Sequence, residues 1–261
     1  MEEKPSQERG IRFLDIFAVC CIVLCLVALY GILRPKMQEE NPQMLRQTEA
    51  VTQPPETAPA ETEATVEQLR QAEVGETVFF GTFEQDGITE NGPESIQWTV
   101  LSKEEGRILV ISKYILDWRP YHLVRVPITW EECSLRTWLN EDFLTAAFTE
   151  EEQMLIPAVT NPLGKNPNYG TAFGDPTQDR IFLLSPQELK QYTLEKWQAT
   201  AYAVAEGAAE EASQWWLRAP GSSLNNATRA AWHDGATLTD DYVNRRSGLR
   251  PVMWIETGAE M

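Results

Sequence analysis

The sequence predicts an α+β domain of antiparallel strands with short helices, preceded by one transmembrane helix. Three observations predict it. Alternating apolar stretches stand at both ends of the region 73–258. Between them, capping boxes open only short helical runs. A long uncharged apolar run lies near the N-terminus.

The run from Ile16 to Leu33 reads IFAVCCIVLCLVALYGIL, and at about 1.5 Å per helical residue it spans roughly 27 Å, close to a hydrocarbon core. Residues 13–34 are therefore assigned to a transmembrane helix and 1–12 to a cytoplasmic tail. A cleaved signal peptide is the rival reading, but the apolar part is long for one, and Tyr30 stands where a small residue should precede cleavage. Lys4, Arg9 and Arg12 before the run barely outweigh Arg34 and Lys36 after it, so the positive-inside bias toward an internal N-terminus is slight. The short tail argues the same orientation more firmly, since only the C-terminal side is long enough to bury a core. The expected location is the cell membrane, single-pass, with the C-terminal domain extracytoplasmic. Cys20, Cys21 and Cys25 lie within the apolar run, which leaves Cys133 alone outside it and excludes an intramolecular disulfide there. The context FAVC at Cys20 is a poor match to a lipoprotein cleavage site.

From residue 35 to 72 the chain is rich in Pro, Thr, Glu and Ala, as in TQPPETAPAETEATVE. Such composition buries too little surface to offset its ordering entropy, so it reads as a disordered acidic stalk. Proline and glutamate repulsion keep it semi-extended.

The domain spans 73–258. ETVFFGTF, IQWTVL and ILVIS read as an antiparallel meander, with Ile96, Trp98 and Val100 on one face and the turn EEGR before the third strand. Thr129 with Glu132, Thr149 with Glu152 and Ser185 with Glu188 have the spacing of capping boxes, and Pro186 suits a first helical position. NPLGKNPNYGTAFGDPTQD is a long loop, and IFLLS returns to strand. TRAAWHDGATL carries an Asp-Gly hairpin signal, and GLRPVMWIE reads as one last strand.

The ordered segments WTVLS, ILVISKYILD, TWEECSLRTWLN, FLLSPQEL, WWLRAPGSSLNNA and SGLRPVMWI, from Val74 to about Glu256, resemble an uncharacterised bacterial domain-of-unknown-function family found mainly in exported proteins. WWLR and GLRP are in turn distantly similar to the formylglycine-generating, sulfatase-modifying group. That likeness implies an irregular C-type-lectin-like domain with its termini close together. The chain departs from those oxidases at their late cysteine pair, which it lacks.

Groups for chemistry are sparse. His122 and His233 are the only histidines, and with Cys133 they have no ligand spacing on one element, so no metal, cofactor or catalytic residue is assigned. Cys133 reads as a buried apolar residue, because no base stands near it in sequence. GSS at Gly221–Ser223 is not a nucleophile elbow. Asp240 and Asp241 are the candidates for carboxylate chemistry, although adjacent aspartates are ordinarily a solvated turn. The net charge of −17 repels phosphate backbones and excludes nucleic acid as a partner.

Ligand contact is assigned instead to the segments around WWLR and the loops after it. On a strand Trp215 and Leu217 share one side and Trp216 and Arg218 the other, so one tryptophan belongs to the core. Trp216 and Arg218 are then either a structural pair, arginine over indole, or part of a site. SSLNN, HDG and TDDYVNRR bring Asn225, Asn226, Asp234, Asp240, Asp241, Tyr242, Asn244 and Arg245 onto loops, where amides, carboxylates and an aromatic suit a sugar or peptide surface. The expectation is a membrane-anchored extracytoplasmic recognition module for a cell-surface glycan or protein ligand, noncatalytic. The alternatives are an extracytoplasmic carboxylate-dependent hydrolase and a purely structural envelope protein.

Overall fold

The alternating stretches pair as expected in the computed structural model, which describes residues 66–258 apart from 163, 212 and 234. The expected cytoplasmic tail, transmembrane helix and stalk up to residue 65 lie outside the described residues. Among the described residues no helix is long and apolar enough to cross a membrane.

β1 (Thr77–Phe83), β2 (Glu94–Glu104) and β3 (Arg107–Ser112) form the antiparallel meander. Ile96, Trp98 and Val100 are all buried on its inner face. Gly106 makes the turn into β3 at φ 76°, a conformation that favours glycine. The remaining strands are β4 (Asp117–Pro120), β5 (Val159–Asn161), β6 (Thr177–Asp179), β7 (Ile181–Phe182), β8 (Trp215–Pro220), β9 (Asn226–Trp232), β10 (Ala236–Tyr242), β11 (Arg246–Leu249) and β12 (Val252–Glu256). They make a first sheet ordered β1-β2-β3-β12-β7, a second ordered β10-β9-β8-β11-β4, and the pair β5-β6. All pairings between named strands are antiparallel except β8 with β11. With a few short helices, this is an α+β fold.

The helices are α1 (Val66–Gln71), α2 (Ser134–Trp138), α3 (Leu144–Ala147), α4 (Glu150–Met154), α5 (Pro186–Gln191) and α6 (Ala201–Ala205); a π turn, Leu139–Phe143, joins α2 to α3. The capping boxes at Thr149–Glu152 and Ser185–Glu188 both form and open α4 and α5. The box expected at Thr129 does not. Its side chain makes no cap, residues Trp130–Glu132 form a 3-10 turn, and α2 starts later, where Cys133 Sγ accepts from the Arg136 backbone N–H.

Two further expectations need correction. Residues 66–71, assigned by composition to the stalk, form α1, because Leu69 is an apolar anchor with no exposed surface. Arg70 Nε and Nη2 donate to Thr257 O at 3.0 and 2.8 Å, so the two ends of the folded unit meet. GLRPVMWIE is two strands, not one. Pro251 has no N–H for a ladder, and at Arg250–Pro251 the chain leaves β11 in the second sheet and enters β12 in the first.

Two of the buried tryptophans in this core place their N–H groups on carbonyls: Trp98 Nε1 donates to Phe80 O at 2.7 Å and Trp197 Nε1 to Ser213 O at 2.6 Å. Near them the β1 backbone passes tightly under Phe148. Gly81 lies at φ 66° in the irregular stretch of the β1–β2 register. A Cβ there would come 2.5 Å from the Phe148 ring and 2.6 Å from Ala147 O. Gly81→Ala should therefore lose about 2–4 kcal/mol of stability, from positive-φ strain plus overpacking. Urea unfolding followed by tryptophan fluorescence would check it.

Candidate binding site

β8 is buried along its whole length, Trp215 to Pro220. Both faces of the strand are therefore covered: the expected core tryptophan is joined in the core by the second, and of the two readings of Trp216 and Arg218 the structural one fits this burial. Trp215 and Trp216 have no exposed surface, and Arg218 is only 3% exposed. Trp216 Nε1 donates to Arg119 O at 2.8 Å, and its ring meets Tyr121 edge-on at 5.8 Å. Arg218 grips Glu188 with both terminal nitrogens and donates to Leu183 O at 2.7 Å. The ring beside Arg218 is Phe182, at 5.6 Å, while the guanidinium over Trp216 belongs to Arg229, at 5.7 Å. Trp216 and Arg218 are held within the fold and do not reach a ligand surface.

The loop 221–226 and β10 do come together, at Asp240. Its Oδ2 accepts from Ser222 N and Oγ at 2.7 and 2.6 Å and from Asn226 Nδ2 at 3.2 Å, and Tyr169 Oη donates to Oδ1 at 3.4 Å. Burial pushes this carboxyl up, but the bonds from Ser222, Asn226 and Tyr169 outweigh it and hold Asp240 below the usual aspartate range. A Cβ on Gly221 would lie 2.5 Å from Asp240 Oδ2, so glycine is what lets the loop close over the carboxylate. Asp240 thus staples the loop to the strand. Asp241 is engaged likewise, with Arg229 Nη1 at 3.1 Å. Asp234 lies outside the described residues.

What remains outward is a different surface. Tyr242 is exposed, with the Arg125 guanidinium 3.4 Å from its ring centroid. Asn244 and Arg245 are exposed beside it, and Asn225 is half-buried. Backbone bonds tie three segments together here: His122 N to Val243 O at 2.8 Å, Val243 N to Asn225 O at 3.0 Å, and Ile128 N to Leu224 O at 2.9 Å. Pinned at both ends, the loop 122–128 holds Leu123, Val124 and Val126 in solvent at 74%, 59% and 39% exposure. Leu224 is exposed as well. Leu123 also rims a concavity of about 470 Å³ lined by Pro120, Leu135 and Trp138 together with the carboxylates Glu132 and Asp142, in which Arg119 stacks on Trp138 at 4.1 Å. None of the residues assigned from sequence lies in LVRVP, whose three aliphatics before a proline are the signal that marks it.

Groups for chemistry are engaged elsewhere. Burial pushes the Cys133 thiol up to about 12, which leaves it without thiolate character at neutral pH. His122 Nδ1 accepts from the Ser134 backbone at 3.1 Å. Glu84, Asp86 and Glu94 bring three carboxylates within 4.8 Å of one another. They accept from the backbone N–H groups of Gly87, Gln85 and Ile88, which shapes the 84–94 loop.

A protein-family model described as "Domain of unknown function (DUF6273)" matches residues 105–257, more than half of the chain, from the β2–β3 turn to the end of the last strand. No curated protein and no solved structure matches.

Proposed function

The chain belongs to the DUF6273 family, a domain of unknown function, and from that premise we propose that it is a membrane-anchored, extracytoplasmic, noncatalytic recognition module whose ligand is a protein. The apolar run 16–33 supports the anchor, and the acidic stalk supports display at a distance from the bilayer. The likeness of WWLR and GLRP to C-type-lectin-like folds, which commonly carry recognition loops, belongs to this reading too.

One observation carries it: three aliphatic side chains held in water on a loop that is fixed at both ends. Exposed apolar side chains in a contiguous cluster favour a partner surface. Those of loop 122–128 adjoin an Arg–Tyr stack and a mostly apolar concavity, the composition of an interface centre. Its cations, Arg125 and Arg245, stand out in a chain of net charge −17. The partner proposed is therefore a protein with an apolar anchor flanked by acidic groups. A glycan surface would draw on amides and carboxylates, and here Asp240, Asp241 and Asn226 are occupied internally.

A photo-crosslinking residue at Val124 of the full chain in cells tests the reading, with Glu150 on α4 as the control position. A discrete protein adduct is expected from position 124, absent from 150, and reduced about tenfold or more by Leu123→Asp with Tyr242→Ala, as removal of hot-spot contacts predicts. Equal adducts from both positions, or an adduct indifferent to those substitutions, would sink the proposal.

A further inference from the structure

Two arginines are equally buried in this fold, at 3% exposure, and they are treated differently. Arg218 has the Glu188 carboxylate. Arg250, at the sheet crossing, forms none of the described ion pairs. Its Nε donates to Ser112 O at 2.9 Å, and its guanidinium lies 5.6 Å from the Trp197 ring centroid and 5.3 Å from that of Trp215. Its Nη1 is buried without a hydrogen-bond partner, and so is the neighbouring Trp215 Nε1. Burial alone lowers this guanidinium to about 9, still protonated at neutral pH, with no acidic group offsetting it. A buried cation and a buried indole N–H without acceptors are each costly to leave unmade.

Arg250 lines a concavity of about 630 Å³, within the size range of small-molecule sites. Lys113, Tyr114, Thr99, Glu195, Lys196 and Trp197 are among the other residues around it. Lys113 is half-buried, bonds the neutral Gln97 amide at 3.3 Å and, like Arg250, forms none of the described ion pairs. Lys196 is already paired with Glu211 at 2.5 Å. The wall thus offers two unpaired cations, Arg250 and Lys113, against one carboxylate, Glu195. That balance suits a monoanion. A phosphate dianion would meet Glu195 with too little positive charge, whereas a planar carboxylate matches the guanidinium edge.

We propose that this concavity binds the carboxylate of a small organic acid, with Arg250 as its buried anchor and Lys113 at its mouth. Tyr114 and Trp197 pack against the body of the ligand. The site uses none of the residues of the protein-docking face, so either reading can fail without the other.

Trp197 and Trp215 flank the anchor, which makes intrinsic tryptophan fluorescence of the full chain in detergent the direct readout. The probes are N-acetyl-alanyl-alanine and glucuronic acid, their neutral counterparts N-acetyl-alanyl-alanine amide and glucose, and inorganic phosphate. A saturable change is expected with at least one acid and with neither neutral counterpart; which acid responds separates a peptide terminus from a sugar acid as the source of the carboxylate. Half-saturation should shift about tenfold or more in Lys113→Glu, a mouth substitution that leaves the core intact, and the response should vanish in Arg250→Gln. Acid and neutral probes titrating alike, no saturable response to either acid, phosphate binding more tightly than both, or a Lys113→Glu chain that titrates like the parent would each overturn the assignment.

Discussion

Replacing Glu188 with alanine should destabilise the fold by about 3–5 kcal/mol at neutral pH, because it strands the Arg218 cation inside the core. Arg218 is 3% exposed, and two of its terminal nitrogens are directed at that one carboxylate. The same carboxylate closes the α5 capping box by accepting from Ser185 N at 2.7 Å, so the helix start loosens with the pair. Glu188→Gln keeps an acceptor and should lose less. Acid provides an independent check. Burial pushes the Glu188 carboxyl up, but Arg218 and Ser185 more than offset it and its folded value lies below the ordinary one. A carboxyl whose folded pKa is depressed stabilises the fold above its unfolded pKa, here about 4.5, and that contribution disappears as pH falls through the folded value. Urea unfolding measured across that window should show the parent losing stability on acidification and Glu188→Gln losing less. Equal slopes for the two chains would remove Glu188 as the cause.

Asp179→Leu should be as severe, at about 3–6 kcal/mol, since three buried donors lose their acceptor together. Asp179 Oδ2 accepts from Trp130 Nε1 at 2.9 Å, Asn161 Nδ2 at 2.6 Å and Thr177 Oγ1 at 2.6 Å, while Oδ1 takes Arg136 Nε at 2.5 Å. One carboxylate therefore joins the 3-10 turn before α2, α2 itself, β5 and β6. Asp179→Asn separates the contributions. Its oxygen can keep the three donors, but its amide N–H would face the Arg136 donor and cannot accept from it, so the loss should fall only to about 1.5–3 kcal/mol, the worth of the charged bond. Thermal or urea unfolding of both variants decides it; an asparagine chain as unstable as the leucine chain would mean that the Arg136 pair, and not the buried donors, dominates.

Sequence marks Glu188 only as the capping-box partner of Ser185 and does not mark Asp179, and the reason is general to this molecule. What sequence resolves is local. The β1–β3 meander follows from period-two burial and short turns, and the Thr149 and Ser185 boxes follow from side chains reaching three residues along. What it leaves open depends on distant pairing. Nothing in GLRPVMWIE says that its two halves serve different sheets, and nothing in WWLR says that both faces of β8 are covered; each is decided by strands far away in the chain. The polar loops illustrate the same limit at the candidate site. Asp240 and Tyr242 look alike in sequence, yet one is consumed by Ser222 and Asn226 while the other is presented to solvent under Arg125. LVRVP misleads in the opposite direction: its aliphatic composition favours burial, while backbone bonds to Leu224 and Val243 pin the loop with those side chains outside.

The order of strands has a consequence for how the domain folds. β11 lies between β8 and β4, and β12 lies between β3 and β7, so the last segment of the domain supplies an interior member to each sheet. Until residues 246–256 are in place, each sheet is divided at the position of its interior strand. Both closures rest on contacts of long sequence separation, which is the topology that slows folding.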